Sequence, residues 1–150
     1  MPENRDLFND PDFIRALIMD HYQYPHNHGL KDYPLSRHMA SDSCIDDITM
    51  QMDIKDGIIN DVRFDGVGCT ISTASTSMLS DLIIGKDTEE AKKIIDEYFK
   101  MVDNEGYDSE TRGEAVAFKN VYKQANRIKC ATIGWNAARQ MIQEYEDKDE

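Results

Sequence analysis

Between Asp47 and Asp65 the chain changes its hydrophobic period, and that change narrows the architectures open to it. Ile48, Met50, Met52 and Ile54 alternate with Thr49, Gln51 and Asp53, the spacing of a strand with one buried face. Lys55-Asp56-Gly57 supplies a turn, after which Ile58, Val62 and Phe64 return to strand spacing. Residues 47–65 therefore read as an antiparallel hairpin. Gly66-Val67-Gly68 bends the chain, and Cys69-Thr70-Ile71 is expected to add a short third strand.

Everywhere else the period is helical. Asp10-Pro11 offers an N-cap followed by proline at the first helical position. Phe13, Ile14, Leu17, Ile18 and Tyr22 form the apolar stripe of a helix over about 11–23, closed by Tyr24-Pro25. Residues 24–43 lack periodicity and read as an extended surface segment. From Ser72 a helical face returns in Ala74, Met78, Leu79, Leu82 and Ile83, continuing from Ile71, and Gly85 is its stop. The serines and threonines between 70 and 80 form no nucleophile elbow and suit a helix that packs closely. Thr88 is expected to cap a further helix carrying Ala91, Ile94, Ile95, Tyr98 and Phe99. A loop over 103–109 precedes a helix at about 110–123. The last helix is expected to begin near Cys130, bury Gly134, Ala137, Ala138, Met141, Ile142 and Tyr145, and fray over 144–150. The expected fold class is α+β: a small antiparallel three-stranded sheet with helices packed on one face, in a single domain over 1–150.

Charge excludes several functions. Among 150 residues there are 17 basic and 29 acidic side chains, a formal charge of −12. A nucleic-acid binder needs clustered lysine and arginine to displace counterions, and no such stripe occurs. Attachment to an anionic membrane is disfavoured on the same ground, and apolar runs such as Leu82-Ile83-Ile84 are too short to span a bilayer. The opening Met-Pro-Glu-Asn-Arg-Asp has no signal-peptide layout, so a cytoplasmic location is expected. Three cysteines cannot complete an intramolecular disulfide framework, leaving core packing, metal binding or thiol chemistry.

The cysteines fall at expected element boundaries. Cys44 and Asp46 are two apart before a strand, so both side chains point to one side of an extended backbone. Cys69 precedes a helix, and Cys130 is expected to open one, with Arg127 and Lys129 just before it. Helix N-termini and nearby cations both favour the thiolate, which is the metal ligand and the nucleophile. Three thiolates and a carboxylate are a tetrahedral set suited to zinc or to iron in a cluster. Their negative charge would be offset by Arg127 and Lys129. Yet the spacing 44, 46, 69, 130 is not a paired C-x-x-C finger. Spacing alone leaves open a shared site, or buried inert cysteines with Asp46 solvated. His21 reads as a hydrogen-bonded helix residue and His26 and His28 as surface groups. With His38 they show no i, i+4 ligand register. Gly66 and Gly68 lack the rest of a phosphate loop.

The motifs carry a resemblance. Ile18-Met19-Asp20-His21-Tyr22 with Pro25, Asn27 and Gly29 resembles the opening motif of IscU/NifU-type iron–sulfur assembly proteins. The run Phe64 to Ser75, with Gly66-Val67-Gly68-Cys69 at its centre, resembles their second cysteine motif. Arg127-Ile128-Lys129-Cys130-Ala131-Thr132 followed by Trp135 resembles the third. Within the family the chain resembles the SufU branch: a long segment separates Cys69 from Cys130, Lys129 stands where IscU has a ligating histidine, and Asn126-Arg127-Ile128-Lys129 replaces the Leu-Pro-Pro-Val-Lys chaperone motif.

The resemblance implies that Cys44, Asp46, Cys69 and Cys130 bind one zinc ion. It implies that Cys44 accepts sulfane sulfur from the persulfide of a SufS-type cysteine desulfurase, with Arg127 assisting at the interface. On this reading the protein is a sulfurtransferase-like partner rather than a stand-alone enzyme, acting with other Suf assembly proteins. The alternative it implies is a scaffold that holds a transient iron–sulfur cluster on the same ligands and passes it to apo-proteins. One departure stands out. The family reads Asn-Pro-Thr-Cys-Gly-Asp at the first cysteine, whereas this chain has Ser41-Asp42-Ser43-Cys44-Ile45-Asp46. A β-branched residue for glycine is expected to stiffen the Cys44 loop, and Asp42 adds negative charge. Both metal ligands remain, so the departure bears on sulfur transfer rather than on zinc.

Overall fold

A computed structural model of the chain describes residues 10–40, 45–103, 113–119, 123 and 125–148. Helix α1 (Pro11–Gln23) starts as its sequence dictates: the Asp10 carboxylate accepts from the Asp12 N–H, and Pro11 sits in the first turn, where no backbone donor is needed. Ile14, Leu17 and Ile18 pack on the core. Tyr22, expected on the inner stripe, faces out, and His21 is the buried residue of this helix.

Strands β2 (Asp47–Lys55) and β3 (Ile58–Val67) form the expected hairpin. Lys55 pairs with Ile58, so Asp56-Gly57 is a two-residue loop, and both residues adopt positive φ (54° and 78°) as a twist-matched turn requires. The third strand is not the expected one. Cys69-Thr70-Ile71 turns into a helix, and the sheet is completed by β1 (Leu35–Ala40), which pairs antiparallel with β2 to give the order β1-β2-β3. Strand β1 lies within the segment read as aperiodic. Its half-buried positions are Leu35, Arg37 and Met39, and the arginine hides the alternation. Arg37 reaches across to Glu144, Nη2 to Oε1 3.2 Å, so this inward position is held by an ion pair.

Helix α2 (Thr70–Ile83) is the central element. Ser72, Ser75, Thr76, Ser77 and Ser80 are buried along with its apolar residues, so it is enclosed on nearly every side. Such a helix must be narrow, which explains its serines and threonines. Its hydroxyls bond within the protein: Thr76 Oγ1 donates to the Ser72 carbonyl (2.8 Å) and Ser80 Oγ to that of Ser77 (2.7 Å). The close approach is plainest at Gly134, where an added Cβ would lie 2.4 Å from Thr76 Oγ1. Helix α3 (Thr88–Val102) buries Ala91, Ile94, Ile95 and Tyr98 as expected. Its cap is Asp87 rather than Thr88: the Asp87 carboxylate accepts from the Glu90 N–H at 2.8 Å, and Thr88 is already inside the helix. Where 110–123 is described, it is a 3-10 turn over Gly113–Phe118 in place of the expected α-helix.

Helix α4 (Ala125–Lys148) begins five residues before Cys130 and runs further than expected, to Lys148. It packs on α2, β1 and β2, with Trp135, Ala138, Met141 and Ile142 fully buried. A compact polar network joins α2, α3 and α4 at its centre. Ser75 Oγ donates to the Ala131 carbonyl (2.6 Å) and accepts from Trp135 Nε1 (2.8 Å), and the Tyr98 hydroxyl also donates to the Ala131 carbonyl (2.7 Å). Burial pushes the Tyr98 hydroxyl well above the ordinary phenol range, so it remains a donor at any physiological pH. Its ring stacks on Trp135 at a centroid distance of 3.6 Å.

Candidate metal centre at the head of the central helix

The site grows from the end of the sheet. Chain direction reverses between β2 and β3 and then feeds α2 through Gly66-Val67-Gly68. Gly66 has φ +128°, and a Cβ there would lie 2.2 Å from the Asp47 carbonyl oxygen. Only glycine fits. Gly66→Ala is expected to cost about 2 kcal/mol of stability through backbone strain and the lost β2–β3 contact. A urea unfolding curve checks it, and an unchanged midpoint would contradict the assignment.

Cys69 is the N-cap of α2, and its Sγ accepts from the Ser72 N–H at 3.4 Å. The Asp46 carboxylate reaches the same turn: Oδ1 accepts from the Cys69 N–H (2.9 Å) and from Ser72 Oγ (2.7 Å). It is 2% exposed, so the reading of Asp46 as a solvated strand residue does not hold. Gly68 is part of this fit, because a Cβ there would press on Ser72 Oγ at 2.7 Å.

Cys130 arrives from α4. The expectation that it opens a helix is incorrect: it lies in the second turn, beyond the reach of the helix N-terminal field, which fades within the first turn. Burial and the Ala131 anchor position it instead. Cys130 is 3% exposed, and the next residue's carbonyl is fixed by Ser75 and Tyr98. The result is that ligand atoms of Asp46, Cys69 and Cys130 lie within 4.8 Å of one another. Three elements remote in sequence thus converge on one point. Donors about 2.0–2.3 Å from a tetrahedral zinc lie about 3.3–3.8 Å apart, so closure onto an ion needs only small side-chain movement. Two sulfurs and an oxygen suit zinc or iron.

Of the other expected site residues, Cys44 lies outside the described residues, in the connection from β1 to β2. Arg127 and Lys129 are both exposed at the start of α4. Ile45 and Val67, 66% and 61% exposed, place large apolar side chains on the surface at this end of the sheet. Sequence reasoning missed Ser72 and Ser75. Both fall within the run Phe64 to Ser75 but were given no role there, and only the packing of α2 shows that one holds Asp46 and the other anchors α4 beside Cys130.

Among the described residues no helix is long and apolar enough to cross a membrane. Comparison with known proteins agrees with the geometry. Residues 14–150 match the model of the NifU-like N terminal domain. The iron–sulfur cluster assembly scaffold protein IscU of Streptococcus pyogenes is 38% identical over 128 residues, 85% of this chain and 80% of that one. The zinc-dependent sulfurtransferase SufU of Bacillus subtilis is 37% identical over 133 residues, 88% and 90% of the two chains. A crystal structure described as a putative iron–sulfur cluster assembly scaffold protein for the SUF system, from Fervidobacterium islandicum, superposes with a TM-score of 0.78 at 27% identity. That match covers 84% of this chain and 93% of that one. The chain belongs to the NifU-like N-terminal domain family, the IscU/SufU group of iron–sulfur cluster assembly proteins.

Proposed function

We propose that this protein is a zinc-dependent sulfur acceptor in iron–sulfur cluster assembly, taking persulfide sulfur from a SufS-type cysteine desulfurase onto Cys44. The observation that carries the reading is the convergence of Asp46, Cys69 and Cys130 at the head of α2. Support for zinc and for sulfur transfer comes from the 37% identity to the Bacillus subtilis protein of that activity. Cys44 is two residues from Asp46, so chain connectivity keeps their Cα atoms within about 7 Å. It is the remaining thiol of the chain and the natural fourth ligand.

Bound zinc would hold the thiolates deprotonated and in place. The protein's own residues do the rest. Asp46, fixed by Cys69 and Ser72, is a rigid ligand, and Cys130 is held by the core. Sulfur transfer is thiol–persulfide exchange. The Cys44 thiolate attacks the terminal sulfur of the desulfurase persulfide. A new S–S bond forms on Cys44 as the old one breaks, and its electron pair leaves on the desulfurase thiolate. Arg127, exposed near the start of α4, is the proposed cation at this contact, and other Suf assembly proteins are the proposed later partners. The proposed setting is the cytoplasm.

The test is cysteine turnover by the cognate desulfurase with zinc-loaded protein. Wild type is expected to stimulate turnover, and Cys44→Ala, checked for fold by circular dichroism, is expected to abolish the stimulation. Equal stimulation by both would sink the acceptor role. An unfolded Cys44→Ala would point to a structural zinc domain. A second reading, a scaffold for cluster assembly on the same ligands, is supported by the 38% identity to the Streptococcus pyogenes scaffold protein. Anaerobic reconstitution with iron and sulfide separates the two, because a scaffold gains the visible absorbance of a cluster.

A further inference from the structure

Metal-ligating side chains converge a second time, toward the other end of α2. His21 at the end of α1, His26 in the turn that follows and Asp81 near the end of α2 each bring a ligand atom within 4.8 Å of the other two. Both rings and the carboxylate are held by partners of their own. His21 is 1% exposed, and its Nδ1 lies 2.7 Å from Ser77 Oγ. The same hydroxyl accepts from the His26 backbone N–H at 2.8 Å, so one serine ties the two histidines together. The rings lie 4.5 Å apart, and His26 Nδ1 contacts Asp81 Oδ2 directly.

The turn itself is latched. Asn27 Nδ2 donates to Asp81 Oδ1 (3.1 Å) and to Ser80 Oγ (2.8 Å). Asn27 takes the left-handed conformation, φ +57°, one of two non-glycine residues to do so among those described. Backbone bonds on either side, Phe64 N–H to the Asn27 carbonyl (3.3 Å) and Gly29 N–H to the Phe64 carbonyl (2.8 Å), hold the turn against β3. Metal-binding histidines and carboxylates depend on such supporting bonds for their orientation. The His26 and Asp81 side chains are 45% and 41% exposed, so an ion has access from solvent with His21 at the floor.

We propose that His21, His26 and Asp81 form a second metal site, for a divalent transition-metal ion such as Zn²⁺ or Co²⁺. Two imidazoles and one carboxylate suit an ion of intermediate hardness, and three protein ligands leave positions for water. The site is separate from the cysteine centre. Cys69 and Asp81 lie at opposite ends of α2, about 18 Å apart along a helix rising 1.5 Å per residue. The competing explanation is that the His26–Asp81 contact serves only to pin the turn to α2.

Cobalt titration of the full chain distinguishes them. Wild type is expected to show paramagnetic broadening of the His21 and His26 imidazole signals in NMR spectra that Asp81→Asn loses, while the effect of cobalt at the cysteine centre on His38, bonded to Asp47 beside Asp46, is the same in both proteins. His26→Gln and Asp81→Asn are expected to bind one cobalt fewer than wild type. Asn27→Ala should weaken this site about 10-fold, as loss of a supporting bond does. Broadening of His21 and His26 that persists in Asp81→Asn, silence of both in wild type, or variants that bind as much cobalt as wild type would each overturn the proposal. The cysteine centre reports independently through thiolate-to-cobalt charge-transfer absorbance, so failure of one site is not mistaken for failure of the other.

Discussion

Trp135→Ala should lower the unfolding free energy by about 3–5 kcal/mol, a large share of what a domain of this size possesses. The side chain is fully buried, stacks on Tyr98 and donates Nε1–H to Ser75 Oγ. Removing it opens a cavity and deprives Ser75 of a donor at the point where α2, α3 and α4 meet. Trp135→Phe keeps most of the volume and loses only the donor, so its cost should be about 1–3 kcal/mol. Urea denaturation followed by far-ultraviolet circular dichroism measures both. Because Ser75 and Tyr98 anchor the Ala131 carbonyl beside Cys130, Trp135→Ala should also weaken metal binding at the cysteine centre. A variant of wild-type stability would show that the Ser75 network does not hold the helices together.

Asp46→Ala should reduce zinc affinity by at least about 100-fold, at or beyond the upper end of what loss of a supporting residue alone produces. The change removes an oxygen of the proposed ligand set. It also removes the acceptor for the Cys69 N–H and for Ser72 Oγ, leaving that hydroxyl only its 3.2 Å contact with the Cys69 carbonyl. The N-cap turn that carries the Cys69 thiol is then no longer braced. Asp46→Asn keeps an acceptor at the same place and loses the charge, so it should lie between wild type and Asp46→Ala. Competition with a chromophoric chelator gives the affinities. Zinc binding that ignores both substitutions would remove Asp46 from the ligand set.

What could be read before the fold was known follows the range of the interactions concerned. Helix α1, the β2–β3 hairpin with its Asp56-Gly57 turn, and the inward faces of α3 and α4 depend on period, caps and turn residues within a few positions. Strand β1 escaped because it is fixed by its ladder with the distant β2, and Arg37 occupies an inward position that pattern reading assigns to an apolar residue. The start of α4 was misplaced because its first turn carries no apolar stripe. The expected strand at Cys69 failed for a similar reason. A cysteine between glycine and threonine resembles a strand end, but its sulfur caps the helix.

The cysteine centre was legible as a motif and illegible as a geometry. Residue types at 46, 69 and 130 named the chemistry, and the flanking sequences named the family. That these atoms meet depends on the contact between α2 and α4, where Gly134 admits Thr76 and Ser75 receives Trp135. The histidine cluster was not legible at all. His21 and His26 are five apart across a helix end, and Asp81 is 55 residues further on. Local backbone preferences act over a turn or two and are written in consecutive residues. The joining of distant side chains is decided by which faces pack together, and that choice belongs to the folded core as a whole.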